Sequence, residues 1–104
     1  MNDGYTCLWE FTVAQAARAE FERHYGEDGS WVRLFRQSPG FIGTILLRDR
    51  NVEGRYLTVD RWRSEAAYRA FRTDFAPQYH QLDIACERLT ETETSLGEFH
   101  ESVA

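Results

Sequence analysis

A strand that runs directly into a capped helix is the feature that most constrains this chain. Side chains alternate along residues 55–62, with Tyr56, Thr58, Asp60 and Trp62 on one face and Leu57, Val59 and Arg61 on the other. Ser64 then offers an N-cap hydroxyl to an amphipathic helix, which predicts an α+β fold. Because both strand faces carry apolar bulk, we expect helices to cover one side of the sheet and a second copy of the chain to cover the other.

The length of 104 residues fits one domain, which we expect to span residues 1–104 with an ordered core from about 5 to 99 and a polar tail at 100–104. The formal net charge of −5 opposes binding to nucleic acid or to an anionic membrane, so neither is expected as a partner. Cys7 and Cys86 lack metal or redox spacing, and no secretory or membrane-spanning run is visible. This favours reduced thiols and a cytoplasmic location, although the sequence leaves a disulfide open.

The apolar pattern predicts four strands and three helical segments. The strands are predicted at residues 5–11, 41–48, 55–62 and 90–99, and the helical segments at 14–25, 31–37 and 65–89. Pro77 interrupts the last segment, which predicts a kink or a restart with Pro in the first turn. The order β-α-(short α)-β-β-α-β matches a ferredoxin-like sheet.

Several local placements follow from this pattern. Ser30 is expected to cap the short helix, and Asp83 to lie on the buried face of the last one. The first and third strands are expected to be parallel neighbours. Glu10 and Arg61 project from the face opposite the helices, and we expect them to pair with each other, within one protomer or across the dimer seam.

Five blocks of the sequence carry a resemblance to a known family. They are Leu8–Phe11, Phe21–Tyr25, Trp31–Phe35, Pro39–Thr44 and Tyr56–Ser64. Together they resemble the antibiotic biosynthesis monooxygenase (ABM) family of dimeric α/β barrel proteins, over almost the whole of residues 5–99. The resemblance implies a ferredoxin-like βαββαβ protomer with an antiparallel four-stranded sheet, and a homodimer in which two sheets pack face to face.

We expect a small-molecule pocket on the helix-covered face of the sheet, around Trp9, Thr58 and Asp60. The predicted substrate-binding residues are Trp9, Phe21, Tyr25, Trp31, Phe35, Thr58, Trp62, Phe71 and Tyr79. A mostly apolar cleft with a few polar groups is the usual constitution of such a site. The competing interpretation is that these aromatic side chains only fill one another's space in the core.

Asp60 and His80 are the candidate catalytic residues. A buried carboxyl group must find donors, reach water or stay protonated, and a raised pKa would suit Asp60 to act as a general base. Alternatively, Asp60 accepts hydrogen bonds from Trp indole or Tyr hydroxyl groups and braces the core. His80 lies next to the Pro77 break, where it either shuttles a proton or is a partly exposed residue without a role.

The heme-degrading branch of the family places an iron-ligating His on this helix, at a position similar to His80. The resemblance puts Trp9 where those enzymes carry Asn and Phe71 where they carry Trp, which disfavours heme degradation and leaves heme binding open. His24 is expected at the helix surface and His100 in the tail. Three dispersed histidines without matching carboxylates predict no metal site.

No Gly-rich phosphate loop is present, so no dinucleotide, flavin or other cofactor is predicted. The resemblance implies a cofactor-independent monooxygenase of an aromatic, quinol or polyketide-like small molecule, in which the deprotonated substrate itself reduces O₂. The alternative is a non-catalytic dimeric protein that binds a small hydrophobic molecule, heme included.

Overall fold

The computed structural model describes residues 4–102. Its strands are β1 (Tyr5–Thr12), β2 (Phe41–Arg48), β3 (Arg55–Trp62) and β4 (Thr92–His100). Its helices are α1 (Arg18–Tyr25), α2 (Ser30–Phe35), α3 (Glu65–Asp74) and α4 (Ala76–Cys86). Short 3-10 turns at Gln15–Ala17 and Glu87–Leu89 precede α1 and follow α4. Within the described range, no helix is long and apolar enough to cross a membrane.

The strands form one antiparallel sheet in the order β2-β3-β1-β4. This confirms the predicted α+β, ferredoxin-like fold. The expected parallel pairing of β1 and β3 is wrong, because the hairpin between β2 and β3 reverses the chain before β3 reaches β1. The resulting register places Cys7 opposite Asp60 and Trp9 opposite Thr58 on the helix-covered face.

Local sequence signals explain where two of the helices begin. The Ser64 hydroxyl accepts a hydrogen bond from the Ala67 amide at 3.1 Å, so Ser64 caps α3 as predicted. Pro77 lies in the first turn of α4, where its missing amide hydrogen leaves no intrahelical bond unmade, which confirms the predicted restart.

Two of the expected local placements are wrong. Gly29, in extended backbone, is the N-cap of α2, and the Ser30 hydroxyl instead lies 2.6 Å from Nδ1 of His24. Asp83 is exposed on α4 rather than buried, which spares its carboxylate the cost of desolvation.

The core between the sheet and the helices is built mainly from aromatic rings. Trp62 lies fully buried at the centre of this core. Four rings lie 5.0 to 5.5 Å from it, those of Phe35, Phe41, Tyr68 and Phe71. Cys7 and Cys86 are both buried in this core and form no disulfide.

The opposite face of the sheet is apolar and has no helix over it within residues 4–102. Ile45, Leu47 and Phe99 are each more than 40% exposed there. We call this surface the open face. Within the protomer, Glu10 and Arg61 do not pair with each other as expected. Glu10 accepts from Arg55 Nε at 2.6 Å, and Arg61 donates to both carboxylate oxygens of Glu101 at 2.9 Å.

Strand β4 contains one extra residue relative to β1. Leu8 lies opposite Gly97 and Trp9 opposite Ser95, so Leu96 forms a bulge between them. The strand continues through His100, which was expected in the tail. The His100 ring packs edge-on against Tyr5 at 5.3 Å.

Candidate active site

A cleft lies on the helix-covered face of the sheet, beside α2 and α4. It is lined by Trp9, Phe11, Tyr25, Trp31, Phe35, Thr44, Thr58, Asp60, Tyr79 and Glu93. The empty space between its walls is about 380 Å³, with the solvent-filled mouth included. The volume accessible to solvent within it is about 30 Å³, which has room for about two water molecules. An aromatic ligand therefore has to displace side chains of the cleft wall. Trp9 and Tyr79 are the aromatic lining residues that are only half-buried, so they are the ones that can move most easily.

The structure brings most of the predicted binding residues to this cleft. Those that line it are Trp9, Tyr25, Trp31, Phe35, Thr58 and Tyr79. Phe21, Trp62 and Phe71 do not line it, since each is at most 1% exposed and packs in the core behind the wall. These three side chains support the wall from behind.

His80 is exposed on α4 and does not line the cleft. His24 lies half-buried in the last turn of α1, beside the Ser30 hydroxyl at the start of α2, and His100 lies at the end of β4. Within residues 4–102, no three His, Cys, Asp or Glu side chains come together as a potential metal site.

Asp60 lies at the inner end of the cleft, in the C-terminal half of β3. Thr44 faces it from β2, and the Thr44 hydroxyl donates a hydrogen bond to Asp60 Oδ1 at 2.8 Å. The expected indole or tyrosyl donors are therefore wrong, because the strand register puts a threonine at the neighbouring position. Among the residues that the structure describes, Thr44 is the one side chain that donates to this carboxyl group.

The environment of Asp60 changes its acidity. Burial raises the pKa of the Asp60 carboxyl to about 6, and the hydrogen bond from Thr44 offsets only part of that effect. No cationic side chain is among the residues that line the cleft. Near neutral pH, Asp60 is thus a buried carboxylate that can accept a proton from a bound molecule and release it again.

Tyr79 supplies a second polar group to the cleft. Its ring meets Trp31 edge-on at 5.0 Å, and the Arg72 guanidinium lies 3.9 Å from the ring centre. Burial raises the pKa of the Tyr79 hydroxyl, and Arg72 partly opposes this. The hydroxyl therefore stays protonated at neutral pH, so it can donate a hydrogen bond.

Sequence reasoning missed Thr44 and Glu93 as cleft residues. Glu93 lies opposite Phe11 in the pairing of β4 with β1, so it points to the helix-covered side. Burial raises the pKa of its carboxyl, and the charges of Asp83 and Glu87 raise it further. The alternation of side chains along the strands could have predicted both, because Thr44 and Glu93 each lie on the same face as a lining residue of the adjacent strand.

Comparisons with known proteins agree with this architecture. The sequence model of the antibiotic biosynthesis monooxygenase family matches residues 4–81. A mutant of SnoaB, a cofactor-independent oxygenase from Streptomyces nogalater, is 28% identical with a TM-score of 0.71, over 98% of this chain and 96% of SnoaB. Another structure of SnoaB is 26% identical with a TM-score of 0.67, over the same shares of the two chains.

A more distant structure has the same fold. It is the monooxygenase from the gene ActVA-Orf6 of Streptomyces coelicolor, in complex with nanaomycin D. It is 20% identical with a TM-score of 0.74, over 98% of this chain and 90% of that one. No curated protein matches the chain.

The family match covers three quarters of the chain, including β1 to β3, α3 and the first residues of α4. Together with the similarity to SnoaB, it supports monooxygenase chemistry without a cofactor. The chain belongs to the antibiotic biosynthesis monooxygenase family.

Proposed function

We propose that this protein is a cofactor-independent monooxygenase that oxidises an electron-rich aromatic or quinol-type small molecule in the cleft, with Asp60 as the proton acceptor. The observation that carries the proposal is a buried carboxyl group with a pKa of about 6 at the inner end of an aromatic cleft. Such a group is mostly ionised at neutral pH, yet it binds a proton readily enough to act as a general base.

Asp60 would remove a proton from the phenolic or activated C–H position of the substrate. The resulting anion is electron-rich and transfers an electron to O₂, after which the two radicals combine as a peroxide. Loss of water from the peroxide converts a ring CH₂ to a carbonyl group, so one oxygen atom enters the product and the other leaves as water. The substrate supplies all four electrons, and no external reductant is needed.

The other cleft residues would bind and orient the ring. Aromatic walls would exclude water and hold the reacting carbon near the proton acceptor, which lowers the entropic part of the barrier. The Thr44 hydroxyl fixes Asp60 Oδ1, so the second carboxylate oxygen is the one that accepts the proton.

The test is oxygen uptake with a panel of anthrones and hydroquinones. We expect Asp60→Asn to lower kcat/KM by about 10²- to 10⁴-fold, because Asn cannot accept the proton. The wild-type kcat/KM should rise with pH through about 6 and then level off, since the ionised form is the active one. His80→Gln is the matched control, because His80 is exposed and does not line the cleft.

Two outcomes would count against this assignment. If Asp60→Asn keeps the wild-type rate, Asp60 is not the base. If His80→Gln removes activity while Asp60→Asn does not, the proton acceptor is on α4 instead.

We further propose that the protein works as a homodimer in which the open faces of two sheets pack together. Exposed Ile45, Leu47 and Phe99 form apolar surface that a partner would remove from water. The Glu10–Arg55 and Arg61–Glu101 pairs leave no uncompensated charge between them on this surface.

A further inference from the structure

We propose that the cleft accepts neutral or cationic aromatic molecules and rejects those that carry a carboxylate, and that Glu93 sets this preference at the mouth. The inference rests on the proposed function only in taking the cleft as the substrate site. It assigns a charge class to the substrate and a specificity role to a residue outside the proposed chemistry.

The inner end of the cleft carries one negative charge. Asp60 is 9% exposed, and of its two carboxylate oxygens only Oδ1 receives a hydrogen bond from the side chains described. The other oxygen is free to accept from a ligand O–H or N–H group. A second anion placed beside it would be repelled strongly, because little water is present to screen the two charges.

The mouth adds further negative charge. Glu93 lines the cleft, and the charges of Asp83 and Glu87 act on it. Within residues 4–102, none of these three carboxylates forms an ion pair with an Arg or His side chain. A ligand anion entering the cleft would therefore meet uncompensated charge of its own sign at both ends.

Two Arg side chains near α4 are engaged with other groups. Arg72 lies over the Tyr79 ring and donates to the Tyr68 hydroxyl at 2.9 Å, but it does not line the cleft. Arg88, which follows α4, is paired with Glu20 of α1. Among the residues that the structure describes, no Arg lines the cleft, so none of its walls offers the bidentate geometry that carboxylate-binding sites use.

Phenols, quinols and aromatic amines fit this arrangement. Each offers an O–H or N–H donor that can reach the free oxygen of Asp60, and each has a ring that the aromatic walls can hold. An ammonium group would gain attraction from Asp60 and from the Tyr and Trp faces.

The experiment compares three probes that share one ring system: 2-naphthol, 2-naphthylmethylammonium and 2-naphthoate. Calorimetric titration at about pH 7.5, where the naphthoate is ionised, measures their Kd values. We expect 2-naphthol and the ammonium to bind at least about tenfold more tightly than 2-naphthoate, since like charges in close proximity repel each other.

Two variants assign the preference to a residue. Glu93→Gln should strengthen 2-naphthoate binding by about threefold or more, because it removes one repelling charge at the mouth. Glu53→Gln changes the net charge equally, but Glu53 lies on the β2–β3 turn with 92% of its side chain exposed, so it should leave the ratio unchanged.

Several results would overturn the proposal. Equal or tighter binding of 2-naphthoate would do so, and so would a loss of 2-naphthoate binding in Arg72→Gln, which would make Arg72 a carboxylate receptor. Equal effects of Glu93→Gln and Glu53→Gln would remove the role of Glu93. Failure of all three probes to bind at millimolar concentration would show that the cleft admits no such ring.

The oxygen-uptake assay keeps the two proposals apart. A charge preference without oxygen uptake leaves this inference standing and rejects the monooxygenase. Oxygen uptake without a charge preference supports the monooxygenase and rejects this inference.

Discussion

At the scale of single residues, Asp60 links stability to chemistry. An unfolded chain presents this carboxyl group with a pKa of 3.8, whereas burial raises the pKa to about 6 in the folded state. Below the lower value the group is protonated in both states and costs nothing. As the pH rises through the interval, the unfolded state releases its proton first, so folding stability falls until the folded pKa is passed.

We therefore expect the stability of Asp60→Asn relative to wild type to increase with pH. Asn keeps a carbonyl oxygen for the Thr44 hydroxyl but cannot ionise, so the variant should gain about 2 to 3 kcal/mol relative to wild type between about pH 4 and pH 8. Urea unfolding of both proteins at each pH and at one protein concentration measures this. An equal difference at the two pH values would contradict the raised pKa.

The same residue shows what a sequence can reveal about a site. The sequence indicated Asp60 as a site residue, because the alternation of side chains along the strand puts it on the same face as Thr58 and Trp62, which is the helix-covered face. The identity of its donor depends on how β2 and β3 are aligned, and that alignment is set by tertiary packing. Thr44 looked like one polar residue in an apolar strand until the register placed it opposite Asp60.

Glu93 was hidden for a different reason. A Glu in the polar run at the start of β4 is typical of a solvated edge strand, and Glu93 is indeed largely exposed. Only its pairing with Phe11 brings it to the mouth of the cleft. A prediction that looks for polar residues in buried positions cannot find an exposed residue such as Glu93, although it lines the cleft.

At the scale of secondary-structure elements, the order of strands and helices was predictable because turn and cap residues separate them cleanly. The failure at Ser30 is instructive: two adjacent residues can both serve as an N-cap, and Gly29 does so because its extended backbone lets Ser30 begin the helix. The direction of β3 relative to β1 also depends on the connections between them. The β2–β3 hairpin reverses the chain, so β3 runs antiparallel to both β2 and β1.

The cap of α3 gives a test at this scale. Ser64→Ala removes the acceptor for the Ala67 amide and should cost about 1 kcal/mol of unfolding free energy. Ser64→Asp, which keeps a side-chain acceptor at the same position, should cost much less. Urea unfolding of the two variants checks both values, and equal losses would show that the hydroxyl contributes nothing as a cap.

At the scale of the whole molecule, the open face, which no helix covers within residues 4–102, is where the proposed dimer would form. Leu47→Glu places a charge on the open face and should convert the dimer to protomers, because an unpaired carboxylate would have to be buried. Val52→Glu is the matched control, since Val52 is also exposed, at 52%, but lies in the β2–β3 turn.

Light scattering after gel filtration measures the mass of each variant. We expect a dimer for wild type and for Val52→Glu, and a monomer for Leu47→Glu. A monomeric wild type at micromolar concentration would contradict the dimer, and a dimeric Leu47→Glu would place the contact on another surface.

The extra residue in β4 has a consequence for comparing related chains. Leu96 lets Glu98 rejoin the helix-covered side, where Tyr5 and Arg69 bind its carboxylate, and leaves Phe99 opposite Thr6. A relative that lacked this one residue would pair regularly and keep every later side chain on the same face. A relative of equal length without the bulge would instead turn the rest of the strand over, and so put an acidic group on the open face in place of the phenyl ring. A gap of one position in an alignment therefore leaves this surface as it is, whereas a loss of the bulge without a gap would change it.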